Sequence, residues 1–331
     1  MKAMLLNSYG DSYDFVEQDI PTPVPGPGEV LVRVVASSFN PIDNKIVTLG
    51  DQLAFAPTLP AVLGMDVSGV IEGMGEGVSR FQLGDGVYGC AGGLGDIPGA
   101  LAEYMVVDET LLAHAPRNME LVEAAALPLV TITAWLGLFG KAELQEGETL
   151  LVHGGAGGVG HMAVQLGKAV GADVFATVSS DMKATIVDAM GATPINYQEL
   201  SVKEYVQSAT GGVGFDVIYD TIGGAHLENS FQAAGLEGAV VTTAARSTND
   251  LSLMHAKSLS LHVVFMLLPL ITGQGRFVHG DILAQVAELV DADHVAVLLD
   301  DATFKATEIG KAHRYWSEGG SIGKILIEMD W

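Results

Sequence analysis

Residues 149–160 read Thr149-Leu150-Leu151-Val152-His153-Gly154-Gly155-Ala156-Gly157-Gly158-Val159-Gly160, an apolar run that passes into a glycine loop. Gly155, Gly157 and Gly160 fit G-x-G-x-x-G. In that pattern the first glycine permits a tight turn, the second brings backbone close to a pyrophosphate, and the third lets the next helix pack on the strand. An amphipathic helix is expected over 161–170 and a second apolar strand over 172–178. Strand, loop, helix and strand therefore stand in βαβ order, and the helix N-terminus offers free N–H groups and a positive dipole end to phosphates. In a chain with 41 glycines the competing reading is a glycine-rich hairpin. The flanking elements favour the dinucleotide site.

Downstream, strand and helix alternate through 172–178, 183–189, 193–196, 202–210, 215–219, 225–234, 239–243 and 259–266. Such alternation builds a parallel, doubly wound sheet. Upstream the pattern differs. Strands are expected over 1–8, 30–36 and 67–74, separated by Pro/Gly turns at 21–28, 75–77 and 83–86, which suggests a small barrel-like β domain. Helices over 120–127 and 131–141 lead into the glycine loop. Beyond residue 266 a helix (281–290), a strand (295–299), a helix (305–317) and a strand (324–328) are too few for a domain, so they are expected to fold back on the N-terminal one. The boundaries follow as 1–123, 124–266 and 267–331.

At 331 residues, 49% apolar and 17% charged, the chain reads as a soluble globular protein with room for two domains. No apolar run approaches the ~18–20 residues of a membrane helix, and the opening Met1-Lys2-Ala3-Met4-Leu5-Leu6 is too brief for a signal peptide. The single cysteine, Cys90, excludes an internal disulfide or a Cys-based zinc cluster and suits a reducing cytoplasm. A bystander thiol is the preferred reading of it over a nucleophile. A formal charge of −24 argues against a nucleic-acid partner. It also gives weight to any lysine placed beside a polyanionic cofactor.

Several segments together resemble the medium-chain dehydrogenase/reductase superfamily, and within it the zinc-independent quinone oxidoreductase (zeta-crystallin-like) group. They are Val24-Pro25-Gly26-Pro27-Gly28-Glu29-Val30, Ser38-Phe39-Asn40-Pro41-Ile42-Asp43, Leu63-Gly64-Met65-Asp66-Val67-Ser68-Gly69-Val70 and Phe81-Gln82-Leu83-Gly84-Asp85-Gly86-Val87. To these add the glycine loop, Phe215-Asp216-Val217-Ile218-Tyr219-Asp220-Thr221-Ile222-Gly223-Gly224, Ala312-His313-Arg314-Tyr315 and Ile322-Gly323-Lys324-Ile325. The resemblance spans essentially the whole chain. It implies a GroES-like β-barrel catalytic domain interrupted by a Rossmann domain, an active site in the cleft between them, and a homodimer or tetramer, with the homodimer preferred.

Zinc alcohol dehydrogenases of that superfamily hold catalytic zinc with a Cys at the position matching Asn40, a His matching Met65, and a Cys or Asp matching Leu129 or Val130. An amide and a thioether do not replace thiolate and imidazole for Zn²⁺, so no metal is expected. For the dinucleotide, an NAD-selective fold places Asp or Glu at the end of the second strand. Here Ser179 stands at that end, with Lys183 four residues on and Asp181 dissenting. In NADPH-dependent relatives a lysine and a tyrosine at the positions of Lys183 and Tyr197 contact the 2′-phosphate, so NADPH is the expected cofactor. Its cradle is Gly155, Ala156, Gly157, Gly158, Val159 and Gly160. Thr221, Ile222, Gly223, Thr243 and Ala244 sit at strand C-termini where such folds bind ligand, and Met266 is expected near the nicotinamide.

Without zinc, the acceptor must be positioned and polarised by hydrogen bonds. Asn40 is the first candidate donor, against an Asx-turn before Pro41. Lys45 could donate a proton, against a role as a surface lysine. Thr133 matches a family threonine near the nicotinamide, against simple intrahelical bonding. Enoyl-thioester reductases of the superfamily carry a tyrosine acid in the loop that here reads Gly50-Asp51-Gln52-Leu53-Ala54-Phe55. The missing tyrosine favours a quinone or small activated enone as substrate. The rival readings are an enoyl or alkenal double-bond reductase, and an NADPH-binding structural or redox-sensing protein without turnover.

Overall fold

The structure, a computed structural model, describes residues 1–331. The chain opens with β1 (Lys2–Ser8), β2 (Asp14–Asp19), β3 (Glu29–Phe39), α1 (Pro41–Leu49), β4 (Ala61–Val62), β5 (Asp66–Met74), β6 (Gly86–Cys90), β7 (Tyr104–Asp108), β8 (Leu112–His114) and α2 (Leu121–Ala124). Its middle carries α3 (Pro128–Leu138), β9 (Thr149–His153), α4 (Gly158–Ala169), β10 (Asp173–Val178), α5 (Asp181–Ala189), β11 (Thr193–Asn196), α6 (Val202–Thr210), β12 (Phe215–Asp220), α7 (Leu227–Ala233), β13 (Ala234–Thr242), α8 (Ser252–Lys257) and β14 (Ser260–Val263). It closes with α9 (Leu268–Thr272), α10 (Phe277–Asp291), β15 (Leu299–Lys305), α11 (Ile309–Ser317) and β16 (Lys324–Glu328). Two compact units result: residues 1–129, 267–293 and 299–331 form one, and residues 130–266 and 294–298 the other. The first unit thus runs past the expected boundary at 123.

In the first unit a sheet of seven strands has the order β15-β16-β3-β5-β6-β8, with β7 also on β3, and a smaller sheet has the order β2-β1-β4. Long β3 is the shared partner, and its Val30, Val32, Val34 and Ala36 are buried. Strand β16 returns antiparallel to β3 with Ile325 opposite Phe39 and Glu328 opposite Ala36. That register brings the next residues outward, Lys324 and Asn40, face to face. Helix α1 breaks the otherwise β-rich first third. Pro41 at its first turn and the Asn40/Asp43 capping box start it.

The second unit is a six-stranded parallel sheet of order β11-β10-β9-β12-β13-β14, the doubly wound order whose direction reverses beside β9. Leu150, Leu151, Val152, Ala176, Ile218 and Val240 are all buried, the continuous apolar pattern of strands covered on both faces.

The strand expected over 295–299 does not form; the strand of this region is Leu299–Lys305. Gln165 explains the difference. Its side-chain amide donates to the Ala296 carbonyl and its Oε1 accepts the Ala296 N–H, both at 2.8 Å. At Ala296 both backbone groups are thus satisfied by one side chain in place of a ladder partner. Strand β15 extends to Lys305, so the last helix starts at Ile309 and not at the expected 305.

The tightest constraint in the second unit lies where α4 leaves the glycine loop. A Cβ on Gly160 would fall 2.0 Å from the Gly154 carbonyl oxygen, far inside contact. Gly160→Ala is therefore expected to lower the unfolding free energy by about 1–3 kcal/mol, read from the denaturant midpoint. An unchanged midpoint would contradict this packing.

Candidate functional site

The loop after β9 is held by β10. The Gly154 N–H donates to the Thr177 hydroxyl at 3.0 Å and the Gly155 N–H to the Thr177 carbonyl at 3.1 Å. The Gly157 N–H closes back on the Gly154 carbonyl at 2.9 Å. Left-handed backbone falls on Gly154, at φ +76°. The tight-turn role expected of Gly155 therefore belongs to its neighbour, one residue outside the pattern. Gly155 is constrained differently, because a Cβ there would lie 2.5 Å from that of Ala176. Ala156 is buried beneath the loop. Gly157 caps α4 with extended backbone and no side chain caps the helix. The first-turn amides of Gly158, Val159 and Gly160 have no acceptor within the helix, the arrangement that receives an anion.

The neighbouring strand ends complete one side of the cradle. Asp220, the last residue of β12, is fully buried and organises the turn that follows. Its Oδ1 accepts the N–H groups of Ile222 and Gly223, both at 2.8 Å. Its Oδ2 accepts from Ser230 Oγ at 2.7 Å and His226 Nδ1 at 3.2 Å. Desolvation opposes the charge, but these donors outweigh it and hold the carboxyl well below its usual range. Thr221 Oγ1 donates to the His153 carbonyl at 2.7 Å, tying β12 to β9. Gly223 packs on Ala244, whose carbonyl oxygen would lie 2.1 Å from a Cβ, and the Thr243 N–H donates to the Asp220 carbonyl. Thr221, Ile222, Gly223, Thr243 and Ala244 thus gather at the C-terminal ends of β12 and β13. The His153 ring lies beneath them, buried, with its basicity pulled down to about 3 by burial and by His226.

On the other side of the loop Ser180 caps α5 through its hydroxyl, which accepts the Lys183 N–H at 3.4 Å. Asp181, the dissenting acid, stands exposed in the first turn of the helix that Ser180 caps. Ser179 and Lys183 are half-buried, and Tyr197 is 53% exposed beyond β11. The Tyr197 N–H donates to the Val178 carbonyl, which brings its segment to the end of β10. Thr133 is buried on α3 and its carbonyl accepts from the buried Tyr219 hydroxyl at 2.7 Å. Met266 is buried too, while neighbouring Phe265 is 41% exposed.

In the first unit, the ends of β3, β5, β6 and β16 converge on a buried polar cluster. Asn40 is fully buried. Its Nδ2 donates to Asp66 Oδ2 at 2.8 Å and more weakly to the Ser38 carbonyl at 3.5 Å, while its Oδ1 accepts from Lys324 Nζ. The amide expected to donate to a substrate is therefore committed to protein partners. Lys324, 2% exposed, also donates to the Phe39 carbonyl at 2.8 Å and lies 3.5 Å from Asp66 Oδ2. Burial pulls its ammonium down from the lysine range, and Asp66 and Asp43 oppose that. Lys45 stands exposed on α1. Sequence reasoning passed over Lys324, although a lone lysine opening the apolar strand Lys324-Ile325-Leu326-Ile327 was the signal available for it. The donor set does not fit zinc: an amide, the buried thioether of Met65 and an ammonium replace the ligands such a site needs.

A family model described as "Alcohol dehydrogenase GroES-like domain" matches residues 26–117, and one described as "Zinc-binding dehydrogenase" matches residues 158–291. A 2-methylene-furan-3-one reductase of Solanum lycopersicum is 33% identical over 99% of this chain and 79% of its own. A quinone oxidoreductase of Pseudomonas aeruginosa is 36% identical over 73% of this chain and 72% of its own. Among solved structures, an alcohol dehydrogenase superfamily protein from Novosphingobium aromaticivorans is 38% identical, covers both chains completely and superposes with a TM-score of 0.95. With a GroES-like unit, a parallel sheet of this strand order and kinship along its whole length, the chain belongs to the medium-chain dehydrogenase/reductase superfamily.

Proposed function

We propose that this chain is an NADPH-dependent, zinc-independent reductase that transfers hydride to a quinone or to an activated α,β-unsaturated carbonyl. The observation that carries the chemistry is the open first turn of α4 at the reversal point of the parallel sheet. The acceptor class is carried over from two relatives, one named a quinone oxidoreductase and one an enone reductase. When bound, NADPH supplies hydride from nicotinamide C4.

The residues divide the work. Backbone N–H groups of Gly158, Val159 and Gly160 take the pyrophosphate, helped by the helix dipole. Gly155, Ala156 and Gly157 shape the approach. Ser179, Lys183 and Tyr197 receive the 2′-phosphate, where a neutral Ser179 and a lysine suit a dianion better than a carboxylate would. Thr221, Ile222, Gly223, Thr243 and Ala244 line the nicotinamide half with Thr133 and Met266. Asn40 acts as a positioning residue that holds Asp66 and Lys324 together, and Lys45 is the exposed group retained as a proton donor. Zinc independence is supported by the Lys324 ammonium on Asn40 Oδ1, since a second cation there would meet charge repulsion. The preference for quinones and small enones over thioesters rests on the residues at 50–55, which include no tyrosine acid. The product anion then takes its proton from solvent or from Lys45.

A homodimer forms part of the same reading. Strand β14 ends the parallel sheet, and Val263 on it is 48% exposed. An edge with free backbone groups and apolar side chains pairs readily with a second copy. No helix of the chain is long and apolar enough to cross a membrane. Sedimentation at micromolar concentration is expected to give the mass of two chains, and a single-chain mass would remove this part.

The central assay follows nicotinamide oxidation with 1,4-naphthoquinone, small enones and a crotonyl thioester. Turnover is expected with the first two and with NADPH in preference to NADH. Lys183→Ala should raise KM for NADPH about tenfold or more, as loss of one charge-assisted contact does, and leave NADH nearly unchanged. Turnover of the thioester alone would overturn the acceptor class. Equal effects of Lys183→Ala on both cofactors would overturn the 2′-phosphate assignment.

A further inference from the structure

Asp43, in the first turn of α1, has two carboxyl oxygens in unequal surroundings. Oδ2 accepts the Asn40 N–H at 2.9 Å, whereas Oδ1 is buried without a hydrogen-bond partner. A bare carboxylate oxygen out of water is costly, and a protonated or hydrated one much less so. The neighbouring groups do not relieve it. Asp66 gathers the donors of the cluster: Leu129 N–H on Oδ1 at 2.9 Å, and Ser38 Oγ at 2.7 Å and Asn40 Nδ2 at 2.8 Å on Oδ2. Lys324 directs its hydrogens to the Phe39 carbonyl and Asn40 Oδ1 and is the ion partner of Asp66. One ammonium thus serves two carboxyls.

The other titratable groups packed around the cluster bring no positive charge. His313, on α11, is pulled down to about 3 by burial and by Arg314, and its Nδ1 pairs with Asn44 Oδ1 at 3.0 Å. Cys90, opposite Asp66 on β6, keeps its thiol proton because burial pushes it up.

Beside Asp43 lies a cavity of about 10 Å³ whose wall is mostly apolar, with Leu63, Leu101, Ile309 and Ile327 facing Phe39 and His313, so it offers the carboxyl little hydration. The hydroxyl hydrogens of Ser37 and Ser38 already point to the Asp66 carbonyl and to Asp66 Oδ2, so neither is free to donate to Asp43.

We propose that Asp43 is a buried single-proton site, in which the carboxyl is held as the neutral acid with its proton on Oδ1, the oxygen that no protein donor reaches. Burial pushes the Asp43 carboxyl up to about 7; Asp66 adds to the push, while the Asn40 N–H and Lys324 oppose it. The direction fixes the linkage. Between the ordinary carboxylate range and about pH 7 the folded chain holds a proton that the unfolded chain has lost, so this group's contribution to stability falls as pH rises through that window. Buried neutral His153 and His313 contribute with the opposite sign below the usual histidine range. Only the difference between a variant and the parent isolates Asp43.

The test compares thermal unfolding of the full chain and of D43N, whose amide keeps an acceptor for the Asn40 N–H and puts an N–H₂ where Oδ1 was. The difference in Tm, D43N minus parent, is expected to grow by several degrees from about pH 5 to about pH 8. A difference that is flat with pH overturns the proposal. Infrared difference spectra of the parent chain with isotope-labelled aspartate decide the matter even if D43N fails to fold. A protonated-carboxyl band that fades as pH rises through neutrality supports the site, and its absence at about pH 5 overturns it.

Discussion

The glycine approach with least room for a side chain in the second unit is between two glycines. Helix α4 passes so near the turn after β9 that the Gly160 Cα rests on the Gly154 carbonyl, where no Cβ fits. The Gly157 N–H bonds the same carbonyl. That carbonyl is met from both sides, by the Gly157 N–H and by the Gly160 Cα, and the first-turn amides of α4 are left without acceptors inside the helix. The order of the parallel sheet then brings the ends of β12 and β13 alongside β9, and Asp220 fixes the turn between them with donors on both of its oxygens. The proposed phosphate site would follow from helix packing, since what lets the helix approach also frees its N-terminal hydrogens.

The first unit is organised by a different constraint, the return of the C-terminal strand to β3. The pairing of Ile325 with Phe39 carries a lysine into a region where it meets two carboxyls. Ion pairs of this kind contribute little to net stability, because desolvation offsets their attraction, yet removal of one partner leaves a buried charge unpaired. The cluster therefore acts as a specificity device: its geometry requires the last strand to be in register. It also leaves Asn40 as a holder of other groups, with Asp66 on its Nδ2 and Lys324 on its Oδ1.

Much of this was legible in the sequence. The parallel sheet, the glycine loop and α4 announce themselves through apolar runs, glycine spacing and helical periodicity, because both faces of the sheet are covered and the pattern is strong. Weaker patterns hid the rest. Strand β2 (Asp14–Asp19) is largely exposed and half acidic, so no alternation marks it. The stretch at 295–299 looks like a strand, yet at its Ala296 a glutamine side chain takes both backbone groups. At the site, Gly154 stands outside the motif that contains Gly155, and only the backbone angle shows which of them turns the chain. Lys324 was visible as a letter but not as a neighbour of Asn40, because residues nearly three hundred apart meet only through strand register. The acceptor is the least legible part, since no spacing in the chain encodes the shape of its pocket.

A crystal structure of the chain with NADPH bound tests directly whether the first turn of α4 and the adjoining strand ends hold the cofactor for hydride transfer. Pyrophosphate oxygens are expected on the N–H groups of Gly158 to Gly160, the 2′-phosphate within hydrogen-bond reach of Lys183 and Tyr197, and the nicotinamide beside Thr221 to Gly223 and Thr243. A dinucleotide bound away from the α4 N-terminus, or one whose 2′-phosphate points away from Lys183, would contradict it.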